Sequence, residues 1–261
     1  MMEIGDLSCN LNELLNIRFN AKRKNESCIE QSLKNIIRFY NEGDILKSKY
    51  EIGKLIFLVH HLEILKTSKP KLFDIFVKIL LNDKKNYDKY VGTRFEISIA
   101  ATLTERLINF DKTQPPLADF IVNDYKIFIE CGSKHLNEYD KDFSFIEQLC
   151  AVIEKKSKKE YAHNSTALFL DISSIYYYLP TPQRNNIRAY IIKNIPKLSS
   201  MSKFGSFLFH VYIQEGDQDV FQQSYVRIDN FEISDSLNQF LDKHFPFNSY
   251  EIKDYVISNK I

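Results

Sequence analysis

A chain of 261 residues is long enough for one large domain or two modest ones. With 44% hydrophobic and 26% charged residues it has a globular composition, and its formal net charge of +1 excludes a globally basic surface, so a nucleic-acid partner would need a local patch. Four scattered cysteines with no C-x-x-C pair exclude a zinc ribbon and a disulfide framework, and the longest apolar run, Leu55 to His60, is far short of the ~18 residues of a membrane span.

No apolar stretch follows a basic start, so no signal peptide is expected and a reducing, cytoplasmic setting is. Charge is unevenly spread. The first 91 residues carry 16 basic against 12 acidic side chains, and the remainder 19 against 22.

Residues 1–90 read as an α-helical N-terminal region, expected to recognise a substrate or partner. Leu11, Leu14, Leu15 and Ile17 mark a short first helix. Ile29, Leu33, Ile36, Ile37 and Tyr40 recur at three- and four-residue steps, the stripe of an amphipathic helix. Gly43 is placed to end it, and Asp44 to cap a longer helix through Tyr50, Leu55, Leu58 and Leu62. Thr67 to Pro70 breaks that helix, and Leu72 to Leu81 forms another. The polar joint Asn82 to Asn86 separates this region from residues 91–261.

Gly92 and Thr93 open a helix that carries Glu96 among Phe95, Ile97 and Ile99. Residues 111–116 read as a loop, because Pro115 and Pro116 forbid helix and central strand alike. Next come two short apolar runs, Phe120 to Val122 and Ile127 to Ile129, joined by a turn at Asn123-Asp124. This is a hairpin signal. Residues 143–161 read as a helix with Phe145, Ile146, Leu149 and Ile153 on one stripe. Thr166 to Ile172 is a buried-type strand by its continuous apolar run. Residues 183–195 read as a helix, 205–213 and 225–228 as strands, and Ser234 starts a final helix through Leu237, Phe240 and Leu241. The order predicts an α/β or α+β fold, a mixed β-sheet flanked by helices.

Two acids, Asp119 and Glu130, interrupt the apolar hairpin. A carboxylate beside a core strand is costly unless something pairs with it. In the simplest register Asn123 and Asp124 form the loop and Asp119 faces Phe128. Glu130 then shares that face and lies diagonally, roughly 7–8 Å from Asp119 at the backbone. Side chains at that spacing can share one divalent cation.

Asp119, an eleven-residue step, and then Ile129-Glu130-Cys131 at a strand end resemble the core of the restriction-endonuclease-like PD-(D/E)XK nucleases. The resemblance covers residues 91–172, about a third of the chain, and its motif is short. Ala118 stands where that family often has proline, and Gly132 stands where its lysine usually sits. The resemblance implies a restriction-endonuclease-like core over residues 91–261. It also implies Mg²⁺- or Mn²⁺-dependent hydrolysis of phosphodiester bonds, with DNA as the expected substrate, and is compatible with a homodimer. Asp119 and Glu130 would hold the ion, with Glu96 as a third acid. The alternative is a catalytically inactive module of the same fold that binds nucleic acid or a protein partner, which Gly132 favours.

Lys134 is the candidate for the displaced lysine. It shares parity with Glu130 but lies roughly 13 Å further along an extended strand, unless a bulge shortens the path. Lysines on the following helix, or Gln148, are the substitutes. Lys155, Lys156 and Lys159, with Lys158, form a basic helix end that could contact nucleic acid or simply face solvent. Lys22-Arg23-Lys24 is a similar run. Tyr176-Tyr177-Tyr178 could stack on bases, but packing is the plainer expectation. Asp171 ends the buried strand and is a candidate supporting acid. Cys131 reads as a core thiol, and His60-His61, splayed by a helix, as packing residues rather than chelators.

Overall fold

The computed structural model describes residues 4–16, 27–82, 86–133, 145–179, 189, 191, 193–194, 202–214 and 221–246. These residues hold eight helices and a six-stranded mixed sheet, an α+β fold. By their internal contacts they fall into two compact units. Residues 1–108 with 212–222 form the first, and 109–211 with 223–261 the second.

The first unit is built from α1 (Ile4–Leu15), α2 (Cys28–Asn41), α3 (Ile45–Ser68), α4 (Pro70–Asn82) and α5 (Tyr87–Glu105). A capping box opens α2: Glu30 donates its backbone N–H to Ser27 Oγ, and its carboxylate accepts the Ser27 N–H at 2.7 Å. Gly43, at φ 77°, makes the left-handed turn into α3, which Asp44 caps. The buried stripe of α2 is Ile29, Ser32, Ile36 and Phe39, whereas Ile37 and Tyr40 are exposed. The expected stripe keeps Ile29 and Ile36 but is shifted at its flank, where Ser32 and Phe39 are buried in place of Leu33 and Tyr40. The core packs Leu55, Leu58 and Leu62 of α3 with Phe76 of α4 and Phe95 and Ile99 of α5, all fully buried. Each such side chain contributes about 1.5–3 kcal/mol by leaving water.

The second unit holds β1 (Phe110–Lys112), β2 (Phe120–Val122), β3 (Ile127–Ser133), α6 (Phe145–Ser157), β4 (Thr166–Asp171) and α7 (Ser173–Tyr178). The strands β5 (Ser206–Gln214) and β6 (Phe221–Asp229), apart from residues 212–214 and 221–222, which fall in the first unit, and the helix α8 (Asp235–His244) follow. Sheet order is β1-β2-β3-β4-β5-β6. β1 to β3 form an antiparallel meander, and β3, β4 and β5 run parallel. β4 is buried at every position, as its unbroken apolar run requires for a central parallel strand.

Residues 111–112 belong to β1 rather than to a loop. The tyrosines of 176–177 are buried within α7, consistent with packing. The helix expected over 183–195 lies almost wholly outside the described residues, as does Lys22-Arg23-Lys24. No helix among the described residues is long and apolar enough to cross a membrane.

Candidate functional site

The hairpin forms, with a different register from the simplest one. Phe120 pairs with Ile129, Ile121 with Phe128 and Val122 with Ile127. The turn is four residues, 123–126, with Lys126 in the left-handed region at φ 54°. Tyr125 in that turn packs edge-on against Phe240 and His244 of α8. Continued one step beyond the last pair, this register sets Asp119 opposite Glu130 rather than Phe128. Directly opposed residues share a sheet face, and the Asp119 charge acts on Glu130.

Each acid has its own set of partners. Asp119 Oδ2 accepts the Cys131 backbone N–H at 2.8 Å, which ties β2 to β3 beyond their regular pairing. Asp119 Oδ1 accepts from Lys112 Nζ of β1 at 3.2 Å. Lys112 is nearly enclosed, its side chain 8% exposed, and its ammonium also lies 5.2 Å from the centre of the Phe120 ring. The short loop leading into Asp119 is closed by Thr113, whose N–H donates to Asp119 O and whose hydroxyl donates to Ala118 O. Glu130 is buried, and its Oε1 accepts from both Lys156 Nζ and Tyr161 OH, the latter at 2.7 Å. Among the described residues, Oε2 of Glu130 has no hydrogen-bond partner.

Lysines of the helix after the hairpin were expected either as a basic helix end or as substitutes for the displaced lysine. Lys156 folds back from α6 onto the sheet, where it also donates to Cys131 O at 2.7 Å. The stem of Lys156 passes alongside Gly132: a Cβ there would make ordinary contact with Lys156 Cε at 3.7 Å, and it is Leu170 Cδ2, at 2.7 Å, that it would crowd.

The electrostatics follow from burial and charge. Burial and then the neighbouring Asp119 carboxylate push the Glu130 carboxyl above its ordinary range, against the opposing pull of Lys156 and Tyr161. Burial alone would lower the Lys156 ammonium, but Glu130, with Asp119 and Cys131 adding to it, holds Lys156 above its usual value. Burial and Glu130 raise the Tyr161 phenol, so it remains a donor. The group is two carboxylates and two ammoniums with one phenol, neutral overall.

Asp119 and Glu130 are brought together, and Lys156 and Tyr161 join them; Lys112 completes the set. Glu96 is half-buried on α5, in the first unit. Lys155 and Lys159 are exposed at the end of α6. Lys134 lies outside the described residues. Asp171 is buried and accepts the Ser173 N–H at 2.9 Å, capping the entry to α7. Tyr161 and Lys112 had no sequence signal, since each lies outside the hairpin and depends on α6 and β1 being folded onto it. Among the described residues, no three His, Cys, Asp or Glu side chains gather as a metal cage. Two carboxylates do converge, and a hard cation such as Mg²⁺ is commonly held by one or two carboxylates with waters retained. The donor chemistry therefore fits such an ion. Comparison of the chain with protein-family models, with curated proteins and with solved structures finds no match.

Proposed function

We propose that the chain is a metal-dependent nuclease of the restriction-endonuclease-like type, hydrolysing phosphodiester bonds, with DNA as its substrate. One observation carries the proposal. Lys156 of α6 pairs with Glu130 beside Asp119, so two acids and a lysine from separate elements meet, which supports the reading. Glu130 Oε2, with no hydrogen-bond partner, and Asp119 Oδ1 would hold a Mg²⁺ ion. Bound there, the ion would supply a nucleophilic water and neutralise the charge developing on phosphate. Tyr161 fixes the Glu130 carboxylate by its hydrogen bond to Oε1 and leaves Oε2 available. The Cys131 N–H fixes Asp119 in the same way through Oδ2. Lys156 keeps a positive charge beside the pair, positioned to orient an attacking water or stabilise an anionic phosphorane. Among the acids the reading needs only Asp119 and Glu130.

Plasmid DNA and a structured RNA incubated separately with the purified chain, with Mg²⁺, Mn²⁺ or EDTA, test this. Cleavage of DNA that requires the cation and is lost in Asp119→Asn and Lys156→Met supports the proposal. Undiminished cleavage by a folded Asp119→Asn protein would overturn the site assignment, and preferred cleavage of RNA would change the substrate. The alternative is a non-catalytic module in which both lysine–carboxylate pairs are structural ties. It is favoured by the fact that each acid already has an ammonium partner, and it predicts no cation-dependent cleavage of either nucleic acid.

A further inference from the structure

We infer that Lys112 is a built-in competitor for the cation site: its ammonium sits on Asp119 Oδ1, and it and a divalent ion compete for Asp119. This rests on the metal reading above and concerns how that site is filled.

The two lysines differ in a way that assigns them different fates. Lys156 makes two polar contacts, to Glu130 Oε1 and to Cys131 O. Both are directed at atoms other than the Glu130 Oε2 that has no partner, so Lys156 can stay while an ion is held. Lys112 contacts Asp119 Oδ1 at 3.2 Å, and Oδ2 accepts the Cys131 N–H. An ion drawn to Asp119 and Glu130 Oε2 would lie beside the Lys112 ammonium, and the two positive charges repel at that distance. The ion and Lys112 therefore compete for Asp119.

A lysine is suited to this role. Its compact ammonium on a flexible stem can swing away without rebuilding the strand, whereas an arginine fork would hold the carboxylate bidentately. The Phe120 face, 5.2 Å from Nζ, gives the ammonium a second favourable neighbour and so raises the concentration of cation needed to displace it. The charge balance changes with the exchange. With both lysines seated the site is neutral. With a divalent ion in place of Lys112 and Lys156 retained, it carries a net positive charge, as an anionic phosphodiester requires. The exchange thus couples cation binding to readiness for substrate.

Calorimetric titration of Mn²⁺ into the full-length wild type and the Lys112→Met variant, without nucleic acid, reads the competition directly. Because a hydrogen bond to a charged group must be broken only in the wild type, the variant should bind Mn²⁺ about tenfold tighter or more. A second readout uses the wild type alone and does not depend on the variant folding. Amine acylation of Lys112, followed by mass spectrometry, should rise as Mn²⁺ is added, while acylation of exposed Lys155 stays constant. Equal or weaker Mn²⁺ binding by a folded variant overturns the competition and leaves the metal site standing. Unchanged Lys112 acylation at saturating Mn²⁺ does the same. Failure of both proteins to bind Mn²⁺ overturns this inference together with the metal reading.

Discussion

The Lys156 ammonium and the Glu130 carboxylate meet over the bare backbone of Gly132, joining α6 to the third strand of the sheet. Glu130 is 5% exposed and Lys156 26% on their side chains, so the pair sits where removal of one partner leaves the other poorly solvated. Lys156→Met should therefore cost about 3–5 kcal/mol, since it strands a buried carboxylate beside Asp119. Glu130→Gln in the same background should restore much of that loss. Urea unfolding of the two single variants and the double variant gives the coupling; additive losses would show that the two groups do not act as a pair.

Gly132 makes a separate stability prediction. An added Cβ would stand 2.7 Å from Leu170 Cδ2, and Leu170 is locked in a fully buried strand. Gly132→Ala should destabilise by about 1–3 kcal/mol through overpacking. Combined with Leu170→Ala, which removes the clashing methyl, it should cost no more than Leu170→Ala alone. A full extra loss in the double variant, measured by thermal unfolding, would place the strain elsewhere.

The hairpin, the central strand and the closing helix were legible in the sequence because their apolar periods are local. The register was not, because two- and four-residue turns keep the same residues on the same faces, and Tyr125 of the turn packs against Phe240, more than 100 residues away. β1 was hidden for a similar reason. Its three residues include Asp111 and Lys112, which read as loop until Lys112 finds Asp119. Asp119 and Glu130 were singled out because carboxylates beside core strands need partners. Of the partners, a lysine from the following helix was anticipated as a class, but Lys112 of β1 and Tyr161 of the turn after α6 were not, because sequence spacing carries no trace of their approach. The flank of the α2 stripe was misread because Ile37 and Tyr40 are apolar but exposed, while Ser32 is polar and buried.

The helical unit should respond to acid through His61. Burial, then His60 and Arg94, lowers its imidazole from an ordinary 6.5 to about 3, so the fold holds it neutral. The unfolded chain binds a proton below pH 6.5 that the folded chain refuses until about 3. Stability should thus fall with acidification across that window, by about 1.4 kcal/mol per pH unit from this one group. His61→Leu removes the titration and should flatten the dependence by that amount between pH 6 and about 4. Chemical denaturation at stepped pH checks it, and parallel curves for the two proteins would contradict it.

Arg227 fastens the last helix to the sheet. Its side chain is 1% exposed, and its guanidinium makes two hydrogen bonds to Asp229, at 2.8 and 2.6 Å, with others to Asn238, Asp242 and the Phe245 carbonyl. Burial would weaken the charge, but Asp229 and Asp242 together more than offset it. Lysine cannot reproduce a planar fork that reaches four residues at once. Arg227→Lys should therefore cost about 2–4 kcal/mol, leaving the buried oxygens of this cluster short of donors. Asp242→Asn removes only a partner that is 58% exposed, and should cost under about 1 kcal/mol. Limited proteolysis should release α8 much faster from the lysine variant than from the asparagine variant. Equal rates would mean that the apolar contacts of Phe240 and Phe245, not Arg227, hold the helix in place.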